Sequence, residues 1–186
     1  CEERFTRVKH DKRFPVHAVA FCVKEANIEY GKIDYVVFYE KPFVKFERIL
    51  TTHIHHVPKG FCTFVKAMPV WLKERLNMRH TITKELDSIW NVKKEWDIRF
   101  VEHHTSHAAM AYYTSKYDNA ALLVVDAVGE NATTSIMKGE KGKIVLVKQQ
   151  NFPNSIGLLY SAFTYFLGFT VNSDEYKVMG LAPYGD

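Results

Sequence analysis

The amino-acid pattern predicts an α/β protein, and three observations carry that prediction. The run Ala120-Ala-Leu-Leu-Val-Val-Asp126 is apolar up to its final carboxylate and reads as a buried strand. His103 to Tyr113 and Ser155 to Leu167 read as helices on either side of it, the second very apolar and aromatic. Thr133 to Lys138 and Ile144 to Gln149, joined by the turn-prone Gly139-Glu-Lys-Gly142, read as a hairpin. Strand, helix, strand and hairpin in succession belong to a mixed sheet with helices.

Pro15 suits the first position of a helix, and Val16, Val19, Ala20, Val23 and Ala26 recur at helical spacing as far as Asn27. Asp34 to Tyr39, rich in β-branched and aromatic residues, predicts a strand. From Pro42 to about Trp96 the pattern is helical and broken, at Pro58-Lys-Gly60 and again at Asn77 to His80, with Pro69 as a kink between them. His53, His55 and His56 lie in this stretch. Two of them are adjacent and no Cys or carboxylate is close in sequence, so they read as helix-end and loop histidines. Ile98 to Val101 predicts a short strand ahead of the His103 helix.

Composition excludes several classes. Of 186 residues 47% are hydrophobic and 25% charged, which rules out disorder, collagen-like repeats and a coiled coil. No apolar run approaches the roughly 20 residues of a membrane span, so no membrane partner is expected. Cys1, Cys22 and Cys62 are far apart and odd in number, which fits free thiols in a reducing compartment and predicts a cytoplasmic protein. Residues 1–100 hold 19 Lys/Arg against 13 Asp/Glu, and residues 101–186 hold 6 against 8. Arg4, Arg7, Lys9, Lys12 and Arg13, with His10 among them, supply much of the basic excess. They read as a solvated basic turn or as a contact for phosphate groups.

The chemistry concentrates in the second half. His103 and His107 are four residues apart, so on a helix their rings project from one face about one turn from each other. Asp126 ends an apolar strand, which would deliver its carboxylate to the sheet edge where α/β proteins bind ligands. Two histidines and an aspartate make a facial set typical of Fe(II), with Zn(II) or Mn(II) as alternatives. The competing reading has Asp126 capping a turn and the histidines satisfied elsewhere. His104 fits either a contact to substrate or a supporting position behind the metal. Gly129, in the turn after Asp126, would let the backbone approach a ligand, and the hydroxyls of Thr133, Thr134 and Ser135 suit phosphate oxygens. Asn172 to Gly185 packs charged and aromatic residues, two glycines and a proline at a density unusual for a plain surface loop. Within it Lys177 either neutralises a phosphate or pairs with Asp174 or Glu175.

Three stretches, EERFTRVKHDKRFP, HHTSHAAMAYYTSKYDNAALLVVDAVGENATTS and PNSIGLLYSAFTYFLGFTVNSDEYKVMGLAPYG, closely resemble the NodU-type O-carbamoyltransferases. The resemblance implies a partial actin-like ATPase (ribonuclease H-like) fold, related to the tRNA threonylcarbamoyl-transfer enzymes. It makes residues 1–186 an incomplete N-terminal domain, lacking the opening strands with their phosphate loop, its C-terminal part and a separate adenylate-forming domain. It implies transfer of a carbamoyl group from carbamoyl-adenylate, made from carbamoyl phosphate and ATP with Mg as a possible companion, to a hydroxyl of a sugar- or natural-product-type acceptor. An iron-type metal would be held by His103, His107 and Asp126, with a further aspartate beyond Asp186. His104 and Lys177 would be catalytic. Gly129, Glu130, Thr133, Thr134, Ser135, Lys177 and Gly180 would line the nucleotide side. The family usually has Gly at the positions of Ala127 and Asp174. Ala127 matters only if its φ is positive, and Asp174 adds a negative charge beside the expected phosphate site. Ser106 stands where the threonylcarbamoyl-transfer motif has Glu-Gly, which argues against that alternative. A non-catalytic nucleotide- or nucleic-acid-binding module is the remaining one, and nucleic acid is not the expected partner because the aromatic residues are not interleaved with Lys and Arg.

Overall fold

The structure, a computed structural model, describes residues 1–9, 11, 13–70, 72 and 77–185. His10 and Lys12 of the basic cluster lie outside the described residues. The chain divides into two compact units, Cys1–Phe38 with His56–Phe100, and Tyr39–His55 with Val101–Asp186.

The first unit is built on two short parallel strands, β1 (Val36–Phe38) and β2 (Ile98–Phe100), with Val36 opposite Ile98 and Phe38 opposite Phe100. A short helix α1 (Glu3–Thr6) opens the chain and α2 (Val16–Glu25) follows the expected proline. The long helical stretch breaks at Pro58-Lys-Gly60 as expected, whereas Asn77 precedes a helix so that Met78 to His80 are helical, and that helix ends at Trp90 and not near Trp96. α3 (Pro42–His56), which lies almost wholly in the second unit, is followed by α4 (Phe61–Val70), with Pro69 near its end, and by α5 (Met78–Trp90). Ile82 and Leu86 of α5 bury against Trp96 and Ile98, where Val19, Ile33 and Val36 pack around them. Trp96 keeps its indole N–H satisfied by donating to Asp87 Oδ1 at 2.8 Å, as a buried Trp requires.

In the second unit, α6 (His103–Tyr113) lies on a three-stranded antiparallel sheet of order β3-β4-β5, formed by β3 (Asn119–Gly129), β4 (Ala132–Glu140) and β5 (Lys143–Asn151). The hairpin turn Lys141-Gly142 has positive φ at both residues, the conformation that matches strand twist in a two-residue loop. Ala108 and Tyr112 of α6 pack on Leu122, Val124 and Met137. A Cβ on Gly139 would stand 2.6 Å from the Tyr112 ring, so glycine is what admits the aromatic there.

Two expectations are corrected here. β3 is not buried on both faces: Leu122 and Val124 are buried but Leu123 is 69% exposed and Val125 is exposed as well. An unbroken apolar run does not distinguish a strand covered on two sides from one covered on one. Nor does β3 end at Asp126. It continues to Gly129 through an irregularity in which Val125 pairs with Thr134 and Gly129 with Ala132, so Asp126 to Val128 bulge out of the ladder. Bulges re-aim side chains beside functional sites, and Asp126 gains its position from one.

α7 (Ile156–Phe166) starts at Ser155, whose side chain accepts the Leu158 N–H at 3.0 Å, a strongly favoured N-cap. The Ser155 hydroxyl also reaches Ala127 O at 2.6 Å, which ties the helix to the bulge. The last segment is helical and not a loop, with α8 (Glu175–Leu181) followed by a 3₁₀ turn at Ala182–Tyr184. The three cysteines are free and exposed. No helix among the described residues is long and apolar enough to cross a membrane.

Candidate functional site

The helix spacing and the bulge bring three donor groups to one place. His103 Nε2 lies 3.0 Å from Asp126 Oδ2 and 3.0 Å from His107 Nε2. One ligand atom from each of the three residues falls within 4.8 Å of the others. Asp126 Oδ1 accepts the Ala127 N–H at 2.7 Å. The His103 hydrogen bond holds the Asp126 carboxyl down at about 2, against the opposing effect of its burial and with help from the Ala127 N–H. The aspartate is therefore an anion facing two imidazole nitrogens.

This donor set fits a divalent ion. Ligands about 2.1 Å from a metal and at right angles to each other stand about 3.0 Å apart, which is the separation found between the two ring nitrogens. The mixed nitrogen and carboxylate chemistry suits Fe(II), Zn(II) or Mn(II). A groove of about 420 Å³ opens beside the cluster, lined by His107, Ala108 and Ala111 of α6 and by residues 121–126 of β3.

Gly129 has a packing role at the site. A Cβ there would lie 2.5 Å from His103 Cδ2, so the missing side chain admits the His103 ring. Ala127 raises no conflict, because it is absent from the described non-glycine residues with positive φ. Glu130 does have positive φ, at 42°, and is buried. Its carboxylate accepts the Lys41 N–H. Burial pushes this carboxyl above the ordinary range.

The other anticipated residues are placed as follows. His104 is buried, with its Nδ1 sharing a 2.7 Å hydrogen bond with the Ser135 hydroxyl and its Nε2 without a partner. Burial lowers its pKa and keeps the ring neutral. The ring is thus held by β4 through Ser135, in the supporting one of its two expected positions. Thr133 and Ser135 are fully buried. The Thr133 hydroxyl lies 2.5 Å from Asn154 O and 3.1 Å from Gln150 O, and Ser135 is engaged by His104. Neither hydroxyl is open to a phosphate. Thr134 Oγ1 is buried without a partner. Lys177 pairs with Asp174 at 3.0 Å, the second of its two readings. That pairing keeps the Asp174 carboxyl below its ordinary range and compensates its extra charge. Gly180 faces open space.

Sequence reasoning missed the segment before α3. Tyr39 sets its ring edge-on to His103 at 5.6 Å, and its carbonyl accepts from Ser106 Oγ at 3.3 Å. Lys41 Nζ pairs with Glu102 at 2.9 Å. It also missed Gly157, where a Cβ would stand 2.6 Å from Ala127 N, so α7 packs directly on the bulge backbone. Only small-residue placement hinted at Gly157, and nothing local hinted at Tyr39.

A family model described as carbamoyltransferase N-terminus matches residues 1–186. The chain belongs to the carbamoyltransferase N-terminus family. An uncharacterized protein of Synechocystis sp. is 49% identical over 187 residues, covering 100% of this chain and 30% of that protein. Nodulation protein NolNO of Sinorhizobium fredii is 30% identical over 188 residues, covering 100% of this chain and 25% of that protein. Nodulation protein NolO of Bradyrhizobium diazoefficiens is 36% identical over 88 residues, 46% of this chain and 16% of that protein. This carbamoyltransferase-family chain thus spans less than a third of the length of these relatives.

Proposed function

We propose that this chain supplies the metal and transfer site of an ATP-dependent O-carbamoyltransferase. The reaction would move a carbamoyl group from carbamoyl-adenylate, made from carbamoyl phosphate and ATP, to a hydroxyl of a sugar- or natural-product-type acceptor. The observation that carries the reading is the convergence of His103, His107 and Asp126 in a chain of the carbamoyltransferase family.

His103, His107 and Asp126 would hold Fe(II) or a similar divalent ion. Such an ion, when bound, would polarise a carbonyl or phosphoryl oxygen and offset the charge that builds as the acceptor oxygen attacks. The chain's own residues do the rest. His103 Nε2 and Asp126 Oδ2, 3.0 Å apart, are placed to turn from each other to a shared ion, and Gly129 lets the His103 ring sit close to the strand. The groove beside His107 and Asp126 offers room for the reacting groups. Lys177, 43% exposed beside its Asp174 partner, remains available to a nucleotide phosphate, with Gly180 leaving space on the same helix. His104 is assigned to positioning, behind the metal ligands.

The helix and antiparallel strands of the second unit are consistent with part of an actin-like domain, and cytoplasmic residence with the free thiols. The test is an assay of the full-length protein with carbamoyl phosphate, ATP and a panel of hydroxylated acceptors. The expected result is AMP formation that requires carbamoyl phosphate, with carbamoylated acceptor as product. AMP release independent of carbamoyl phosphate would contradict it.

A further inference from the structure

Three cations share one face at the start of α3, because Lys41, Lys45 and Arg48 follow at helical spacing and Lys45 N already donates to Lys41 O at 3.3 Å. Two of them are paired within the chain. Lys41 Nζ meets Glu102 at 2.9 Å, and Lys45 Nζ meets the buried Glu40 at 2.8 Å. Arg48 is not paired. It is half-buried, its Nε is enclosed without a hydrogen-bond partner, and no ion pair reaches its guanidinium among the described residues. Burial pushes its pKa below the ordinary arginine range, with no carboxylate opposing that shift. Its Cζ stands 5.2 Å over the centre of the Phe152 ring. Phe152 is itself anchored, its N–H donating at 2.9 Å to the carbonyl of Asn131 in the turn between β3 and β4.

A guanidinium withdrawn from water without an anion is costly, and an aromatic face returns only part of that cost. Two carboxylates meet the first two cations of the face, so the third is left for an anion that the described residues do not supply. A guanidinium seated over a ring keeps the N–H fork at its edge for an acceptor, and that fork matches phosphate oxygens two at a time. We propose that Arg48, on its Phe152 platform, is a phosphate-binding residue whose N–H fork takes two oxygens of a phosphate group carried by a substrate. The choice of phosphate rests on the proposed reaction, whose carbamoyl phosphate and ATP both carry it. A lysine does not substitute here, because an ammonium has neither the fork nor the flat face.

The test labels the full-length protein with phenylglyoxal, which attacks guanidinium groups not held by an anion, and follows each arginine by mass spectrometry of its peptide. Ionic strength is held with potassium acetate while inorganic phosphate, AMP or adenosine is varied. Arg48 is expected to react in the absence of phosphate and to label about tenfold more slowly at ten times the half-protecting concentration. Arg99, exposed and paired with Asp97 at 3.0 Å, is the control whose rate phosphate leaves unchanged. Protection by AMP at lower concentration than by inorganic phosphate, with adenosine inert, identifies a nucleotide phosphate; the reverse order identifies a free phosphate such as carbamoyl phosphate. A Phe152→Trp reporter reads the affinity directly, and adding Arg48→Met to it is expected to weaken the phosphate response about 10- to 100-fold. An Arg48 that does not react in phosphate-free buffer would mean that a carboxylate of the full-length protein already holds it, and would overturn the proposal. Labelling at one rate with and without phosphate, or a Trp response that Arg48→Met leaves unchanged, would overturn it as well. Neither readout measures transfer, so protection of Arg48 in a protein that forms no carbamoyl-dependent AMP would keep this site and remove the reaction.

Discussion

His103 owes its position to a fellow ligand and to a residue that carries no ligand atom. Asp126 meets its Nε2 at 3.0 Å and Gly129 leaves room for its ring. Only the ligands were legible in the sequence, because i,i+4 spacing on a helix is local. The N–H that the buried Glu130 accepts, that of Lys41, is 89 positions away, and no periodicity encodes contacts at that range. The same holds for Glu2, which caps α2 from a distance of 15 and 16 residues. Burial by itself would raise the Glu2 carboxyl, but the N–H groups of Ala18 and His17 and the His17 ring outweigh it and hold it below its ordinary range. A carboxyl lowered on folding stabilises the native state above its unfolded pKa, and that contribution disappears as pH falls through the folded one. Urea unfolding should therefore find Glu2→Gln less stable than wild type at neutral pH, with the gap closing in acid below the ordinary glutamate pKa of about 4.3. A gap that stays constant into acid would contradict the capping role.

At the scale of elements, α6 runs over the residues its pattern predicts, and the hairpin turn falls at Lys141-Gly142, with Gly139 of the expected turn paired inside β4. Those signals are local, so they survive folding. The bulge at Asp126 to Val128 was not legible, because it is set by how β3 and β4 register against each other. α8 was missed because seven residues give a weak period and Asn172-Ser-Asp174 reads as turn chemistry. Two helical glycines separate packing from propensity. Gly→Ala within a helix gains up to about 1 kcal/mol from propensity. At Gly180, with open space around it, that gain should appear as a higher melting temperature. At Gly157 the added methyl meets Ala127 N and Asp126 C at 2.6 and 2.7 Å, backbone that cannot rotate away. Overpacking of this kind costs about 1–3 kcal/mol, so Gly157→Ala should melt lower than wild type. Thermal unfolding of the two variants side by side checks both signs, and a stabilised Gly157→Ala would refute the close packing of α7 on the bulge.

At the scale of the whole molecule, the structure and the relatives bear out the α/β class and the family, in a chain matched from residue 1 to 186, but the parallel and antiparallel strands among the described residues form two separate sheets and not the one mixed sheet expected. What the composition concealed is how much apolar surface stays open. Leu123 and Val125 on the sheet, and Phe163 and Phe166 on α7, are exposed. A hydrophobic fraction of 47% counts these together with the core, and exposed apolar groups clustered on sheet and helix mark contact faces. The functional claim rests on a smaller feature, the meeting of two helix residues with one strand residue. Metal analysis of the purified full-length protein beside its His107→Ala variant tests that meeting most directly. The account predicts about one divalent ion per wild-type chain and a marked loss in His107→Ala, with the variant still folded by circular dichroism. Equal metal content in the two proteins would contradict it.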